Sequence, residues 1–207
     1  MISVFVFESD VESEEKIDCV HTYIFDIMKH ISQYRGELAM LKLFFKAQDL
    51  EEKDSFQIFN HSGKPAYYTK DDFIATGHRI KLYMNETITE VAYVQEKQVR
   101  NKTKFEFCAR GDFGTVERTR DFTGRPSYAV DYSNKWLVAG DGLNWNYTVK
   151  MGSLNIMKVE KMPYLIPGQA LNITDTVVIT VFNDSDALIS LAFCLAVYAL
   201  NRYSYNY

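Results

Sequence analysis

Side chains able to do chemistry are present in this sequence but scattered. The four histidines are His21, His30, His61 and His78. None has a carboxylate or cysteine partner at metal-ligand spacing, such as the His-Glu-x-x-His pattern that sets two imidazoles on one helical face. Cys19, Cys108 and Cys194 are isolated, and an odd number without a repeating spacing fits neither a disulfide framework nor a zinc site. Glu51-Glu52 and Asp71-Asp72 are adjacent carboxylate pairs. A calcium ion wants about six to eight oxygens, so solvated carboxylates in turns are the plainer reading. There is no Gly-x-Ser-x-Gly elbow and no Walker-type phosphate loop. Gly111-Asp112-Phe113-Gly114 lacks the strand and helix that would make it a nucleotide fingerprint, and reads as a turn. These residues assign no reaction. The expectation is a protein that is not an enzyme, with no cofactor and no metal.

One segment has the chemistry of an anion site. Residues 97–125 carry eight basic side chains against four acidic ones, in a chain whose net charge is −4. Arg100, Lys102, Lys104, Arg118 and Arg120 are the candidate ligand-binding residues. Alternate residues of a strand share a face, so Arg100, Lys102 and Lys104 point one way, as do Arg118 and Arg120. Such a face suits anionic lipid headgroups, each near-surface basic residue adding about 1 kcal/mol, and arginine suits bidentate phosphate contact. The competing reading is a solvated hairpin whose charges pair locally through Glu106, Glu117 and Asp121. Nucleic acid is not an expected partner, because the chain is acidic overall and carries no recognised motif.

The elements that must position this segment follow from periodicity. Ile2–Phe7 is a short apolar run that reads as a strand. Ser13 can cap a helix running to about Arg35, where Gly36 stops it. Within it Ile17, Val20, Ile24, Ile27, Ile31 and Tyr34 recur at spacings of three and four, giving one apolar stripe. That stripe either packs on its own domain or associates with a second copy through residues 13–35. From Leu41 the period changes to two. Twelve strand-like runs follow, at about 41–47, 56–60, 65–70, 79–84, 89–95, 104–109, 115–119, 127–132, 136–140, 146–150, 154–161 and 175–183. Turn chemistry separates them, as at Asn60-His61-Ser62-Gly63 and Arg110-Gly111-Asp112. Many short strands at regular spacing indicate a sandwich or a barrel, and a barrel removes the exposed edges.

The last element differs. Ala187–Leu200 carries no charge and is apolar on every face. Asp184 or Ser185 can cap it. A helix of that kind must be surrounded by apolar material, and a membrane span needs about 20 such residues, more than this run holds. It is expected to be a core helix inside the barrel.

These elements also carry a resemblance. Phe56 to Tyr67 resembles the opening F-x-I-x-(D/N)-x-x-G-x-x-x-(Y/F) of the LURP-one-related family. Val91-Ala92-Tyr93-Val94-Gln95-Glu96-Lys97 is similar to its (V/E)-A-x-(I/V)-x-x-K strand. Trp136-Leu137-Val138-Ala139-Gly140-Asp141, followed by Tyr147-Thr148-Val149, resembles its W-x-(V/I)-x-G-(D/N)…Y-x-(V/I) segment. Asp175–Ile179 and Ala187–Leu200 resemble its final strand and central helix. The likeness covers about residues 40–200 and implies the fold shared with tubby C-terminal domains and phospholipid scramblases: a twelve-stranded antiparallel barrel threaded by a hydrophobic helix. Tubby domains bind phosphoinositide headgroups and scramblases act at membranes. No tubby phosphoinositide motif is present, nor the cysteine-rich and calcium segments of scramblases, so no binding residue is carried over.

The expectation is therefore a mainly β protein with two parts: an N-terminal strand-helix extension over residues 1–39 and a barrel domain over 40–207. Its expected role is a non-catalytic binding module for anionic phospholipid headgroups or a membrane surface. A structural protein associating through the N-terminal helix is the alternative. Met1–Phe7 lacks a signal-peptide pattern, so a cytoplasmic location, peripheral at the membrane, is expected.

Overall fold

The structure is a computed structural model that describes residues 40–99, 102–132, 136–164 and 174–203. The chain divides into two units, Met1–Ala39 and Met40–Tyr207. The expected strand at residues 2–7 and helix at 13–35 lie outside the described residues, as does Arg100.

Each of the twelve expected runs is a strand. They are β1 (Leu41–Lys46), β2 (Gln57–Asn60), β3 (Pro65–Ile74), β4 (Gly77–Met84), β5 (Thr89–Val99), β6 (Lys102–Ala109), β7 (Asp112–Arg120), β8 (Pro126–Asp131), β9 (Leu137–Asp141), β10 (Asn146–Met151), β11 (Leu154–Tyr164) and β12 (Thr174–Val181). A six-residue helix, α1 (Ala47–Glu52), joins β1 to β2. It places Glu51-Glu52 on a helix rather than in a turn. The long helix, α2 (Ala187–Tyr203), ends the described chain. It is entered through a 3-10 turn at Asp184–Asp186, capped by Asn183, whose side-chain oxygen accepts from the Ser185 N–H at 3.3 Å. The cap thus lies just upstream of the two residues expected.

The strands form one antiparallel sheet in the order β8-β7-β6-β5-β4-β3-β2-β1-β12-β11-β10-β9. It curls into a nearly closed barrel. The edge strands β8 and β9 approach each other, but no hydrogen-bonded ladder joins them. The two-residue period sorts side chains between the faces. Val94, Phe105, Phe107, Val116, Val149 and Ile179 point inward and are fully buried.

Those inward side chains surround α2, which is buried at every residue from Ala187 to Leu200. Phe193 lies edge-on to Phe107 and Trp136, with ring centroids 5.4 and 5.5 Å away. Each large apolar side chain so buried contributes roughly 1.5–3 kcal/mol over an exposed one. With its entry turn the helix spans Asp184–Tyr203, 20 residues. Its length therefore suffices to cross a membrane, contrary to the length argument from sequence. Enclosure by the strands is what accounts for its apolar faces.

Because the strands alternate in direction, the barrel has two distinct ends. Helix α2 enters at the end that carries the β4–β5, β6–β7 and β10–β11 turns. It exits at the end that carries the β3–β4, β5–β6, β7–β8 and β9–β10 connections. Among the described candidates, Lys102 and Lys104 lie on β6, which starts at the helix-exit end, and Arg118 and Arg120 on β7, which finishes there.

Candidate functional site at the helix-exit rim

The β6–β7 hairpin fixes where the basic residues go. Arg110 (φ 54°) and Gly111 (φ 90°) are both left-handed, which makes a two-residue turn that matches the twist of the flanking strands. Ala109 then faces Asp112, and the register runs without a break to Lys104 opposite Glu117. Lys102 and Lys104 share the outer face with Glu106 and Cys108. Arg118 and Arg120 continue the inward series of Gly114 and Val116. The basic segment is therefore split between the two faces of the sheet. It does not form one surface.

On the outer face the charges pair locally. Lys104 Nζ lies 3.1 Å from Glu117 and Lys97 Nζ 3.7 Å from Glu106. Lys70 and Lys81 both reach Asp72, at 3.3 and 3.0 Å. The bond from Lys81 is the chief reason the Asp72 carboxyl is held below its ordinary value. Asp71, its neighbour in sequence, points inward, so the pair cannot converge on one cation. Among the described residues no group of three or more histidine, cysteine, aspartate and glutamate side chains gathers in a way that could hold a metal ion.

Inward parity carries Arg118 and Arg120 to the mouth of the barrel, because the strand outruns the core there. Val116 is fully buried, Arg118 partly so, and Arg120 is exposed. With Thr119 and Pro126 they line a cleft of about 340 Å³. Arg120 Nη1 donates to the Gly124 carbonyl oxygen at 2.9 Å, not to a carboxylate. A larger cleft of about 620 Å³ lies beside the β3–β4 tip, lined by Phe73, Gly77, Glu96 and Gln98 among others. Its charged lining is one carboxylate, the buried Glu96, and one ammonium, Lys97, which is already 3.7 Å from Glu106, so it offers an anion no net attraction. The smaller cleft is the one with anion-binding chemistry.

The rest of the mouth is occupied by contacts that hold the end of α2. The Tyr203 hydroxyl donates to Asp71 Oδ2, and the His78 ring stacks on the Tyr203 ring with centroids 3.5 Å apart. His78 Nδ1 stands 3.3 Å from the same carboxylate oxygen. Burial, then the bond to Asp71, pushes the Tyr203 phenol well above its ordinary value. A phenol so shifted is a weaker acid at neutral pH, and the Asp71 oxygen it faces is already taken. The cluster works as a latch. On the other side Tyr128 donates to Asn201 Oδ1 at 2.8 Å, and Asn201 Nδ2 donates to the Gly142 carbonyl at 3.0 Å. His78 thus has a packing role. Its partner Tyr203 lies too far along the chain for spacing to have linked them.

The family profile described as LURP-one-related matches residues 41–198. The chain belongs to the LURP-one-related family. The match spans the twelve strands and most of α2, the same region over which the sequence motifs resembled this family. Among solved structures, an X-ray structure of a protein from Arabidopsis thaliana is similar, with a TM-score of 0.50 and 16% identity, over 79% of this chain and 90% of that one. At that identity the likeness concerns the fold. No curated protein matches the chain.

Proposed function

We propose that this LURP-one-related domain is a non-catalytic module that binds an anionic phospholipid surface at its helix-exit rim. The observation that carries the reading is the placement of Arg118 and Arg120 together at the open mouth, beside a cleft whose other described lining, Thr119 and Pro126, carries no charge. Lys102 and Lys104 contribute less than expected from sequence, because they face the other way and Lys104 is paired with Glu117. A peripheral, cytoplasmic location accords with such a role.

The test is co-sedimentation of the full chain with phosphatidylserine-containing and with pure phosphatidylcholine vesicles, at low and high salt. The expected result is binding to the anionic vesicles alone, weakened by salt because exposed charges are screened. Replacing Arg118 and Arg120 by glutamine removes about 2 kcal/mol at about 1 kcal/mol per near-surface charge, roughly a thirtyfold loss of partition. Lys104→Gln leaves partition within about twofold, since a paired surface lysine offers little net attraction. Binding that ignores salt, or that is lost equally with Lys104→Gln, would overturn the assignment to the rim.

A further inference from the structure

The turn between β7 and β8 continues the strand that carries Arg118 and Arg120. Its five residues are Asp121, Phe122, Thr123, Gly124 and Arg125. They form a tightly bonded loop. The Asp121 N–H donates to the Arg125 carbonyl at 2.9 Å, and the Gly124 N–H donates to the Asp121 carbonyl at 3.0 Å. Asp121 Oδ1 then accepts from Thr123 N–H (2.8 Å), Thr123 Oγ1 (2.7 Å) and Arg125 N–H (2.9 Å). Gly124, at φ +82°, supplies the left-handed residue the loop needs. All of this bonding leaves one side chain with nothing to pack on: Phe122 is 101% exposed.

A whole phenyl ring held in water by a braced loop is unusual for a solvated turn, where small polar residues serve. Its surroundings give its partner a charge. Arg120 and Arg125 flank it in sequence, and Arg118 follows down the strand. The other large apolar side chains exposed at turns lie differently. Ile88, Phe113, Leu137 and Leu154 sit near the helix-entry end, where Arg110 is outnumbered by Asp112, Asp184 and Asp186. Phe73, at the helix-exit end, lies edge-on to His78 at 5.2 Å. Among the described residues, Phe122 is the exposed aromatic that combines a free ring with two flanking arginines.

We infer that the β7–β8 tip is a membrane-insertion finger: Phe122 enters the interfacial layer of an anionic bilayer while Arg120 and Arg125 meet the headgroup phosphates. The inference rests on the lipid-surface reading above and adds to it the inserting residue. Aromatic side chains favour the headgroup level, and an interfacial element buries its apolar part about 5–10 Å deep, within reach of one ring on a protruding hairpin. Asp121 stays ionised and offsets one of the three arginines of residues 118–125, which leaves the tip with a net charge of +2.

Two variants of the full chain test it, on phosphatidylcholine vesicles with and without phosphatidylserine. Phe122→Ser is expected to lower partition onto anionic vesicles roughly tenfold, about 1.4 kcal/mol, with an unchanged melting temperature because the ring packs on nothing. Phe122→Trp is expected to retain binding and to gain an emission component that shifts to the blue on anionic vesicles and is quenched by lipids brominated on the acyl chain. Wild-type protein, which carries the buried Trp136 and the partly buried Trp145, is measured beside it, and only the change beyond the wild-type signal is assigned to position 122. If wild type binds anionic vesicles but Phe122→Ser binds equally and the new tryptophan is not quenched, the finger is wrong and the rim reading stands. If wild type binds no vesicle, or binds neutral ones as well as anionic ones, the rim reading fails and the finger with it.

Discussion

Gly77 should be costly to replace, and the reason can be separated into two parts. It opens β4 at φ +113°, a backbone region almost reserved for glycine, where a residue bearing a Cβ costs about 1–3 kcal/mol. An added Cβ would also stand 2.2 Å from Glu96 Oε2 and 2.6 Å from its carboxyl carbon. Glu96 must then leave its place. There it accepts from the His78 N–H at 3.1 Å and from Gln98 Nε2 at 2.8 Å. Hydrogen bonds to a carboxylate are worth about 1.5–3 kcal/mol each, and the rim position argues for the lower figure. Gly77→Ala should thus destabilise by about 4 kcal/mol. Glu96→Ala alone loses the same two bonds, about 3 kcal/mol. In the double variant the clash is gone and only the backbone cost is added. The two substitutions should therefore couple by about 3 kcal/mol, the value of the two shared bonds, rather than add. Urea unfolding of the four proteins, followed by far-ultraviolet circular dichroism, measures the cycle. Costs that add within about 0.5 kcal/mol would refute the reasoning, because they would mean that the glycine does not make room for Glu96.

Further outcomes follow from the core, the tip and the thiols. Phe193→Ala empties a fully buried site between Phe107 and Trp136 and should cost about 3–5 kcal/mol, read from the urea midpoint and accompanied by a changed Trp136 emission. The Asp121 carboxyl is held below its ordinary value of 3.8, chiefly by the Thr123 hydroxyl and then by the Arg125 and Thr123 N–H groups. A depressed folded value means that its contribution is complete above 3.8 and disappears as pH falls below that through the folded value. The Thr123 and Arg125 amide resonances should report this loosening in an acid titration, and Asp121→Asn should flatten it. Burial pushes the Cys194 thiol up to about 12, so a disulfide reagent at neutral pH should leave Cys194 unmodified in the native protein and reach it only with unfolding. Peptide mapping of the labelled chain distinguishes it from Cys19 and Cys108.

The strands were legible because each alternates, and because Gly and Asn turns separate them. Their lengths were less so. β3 to β7 extend beyond the apolar alternation toward the helix-exit end, where polar residues such as Asp71, His78, Glu96 and Arg118 take inward positions. An inward polar residue breaks the pattern from which a strand is recognised. α1 was missed because six residues give too short a window for a helical period. The division of the basic segment was in principle readable. A two-residue turn at Arg110-Gly111 pairs Lys104 with Glu117, and it follows that Arg118 lies on the other face. The signal was turn length, which face counting within single strands ignores. Phe122 had a signal too, since an aspartate two residues before a threonine and three before a glycine is turn chemistry, and the aromatic between them has no strand to belong to. The latch of Asp71, His78 and Tyr203 had none, because it joins the third strand to the last helical residue.

The burial of α2 has a consequence for how the protein is born. The helix that fills the barrel is made after all twelve strands. At about 5–20 residues per second, the earliest strands spend on the order of ten seconds or more with their inward phenylalanines and valines facing water or one another. The nascent sheet has no interior to curl around until α2 arrives. Arrival of α2, rather than any local folding step, then sets the moment at which this domain stops being a substrate for chaperones. A ribosome stalled before Ala187 would leave behind a twelve-stranded sheet with nothing to enclose.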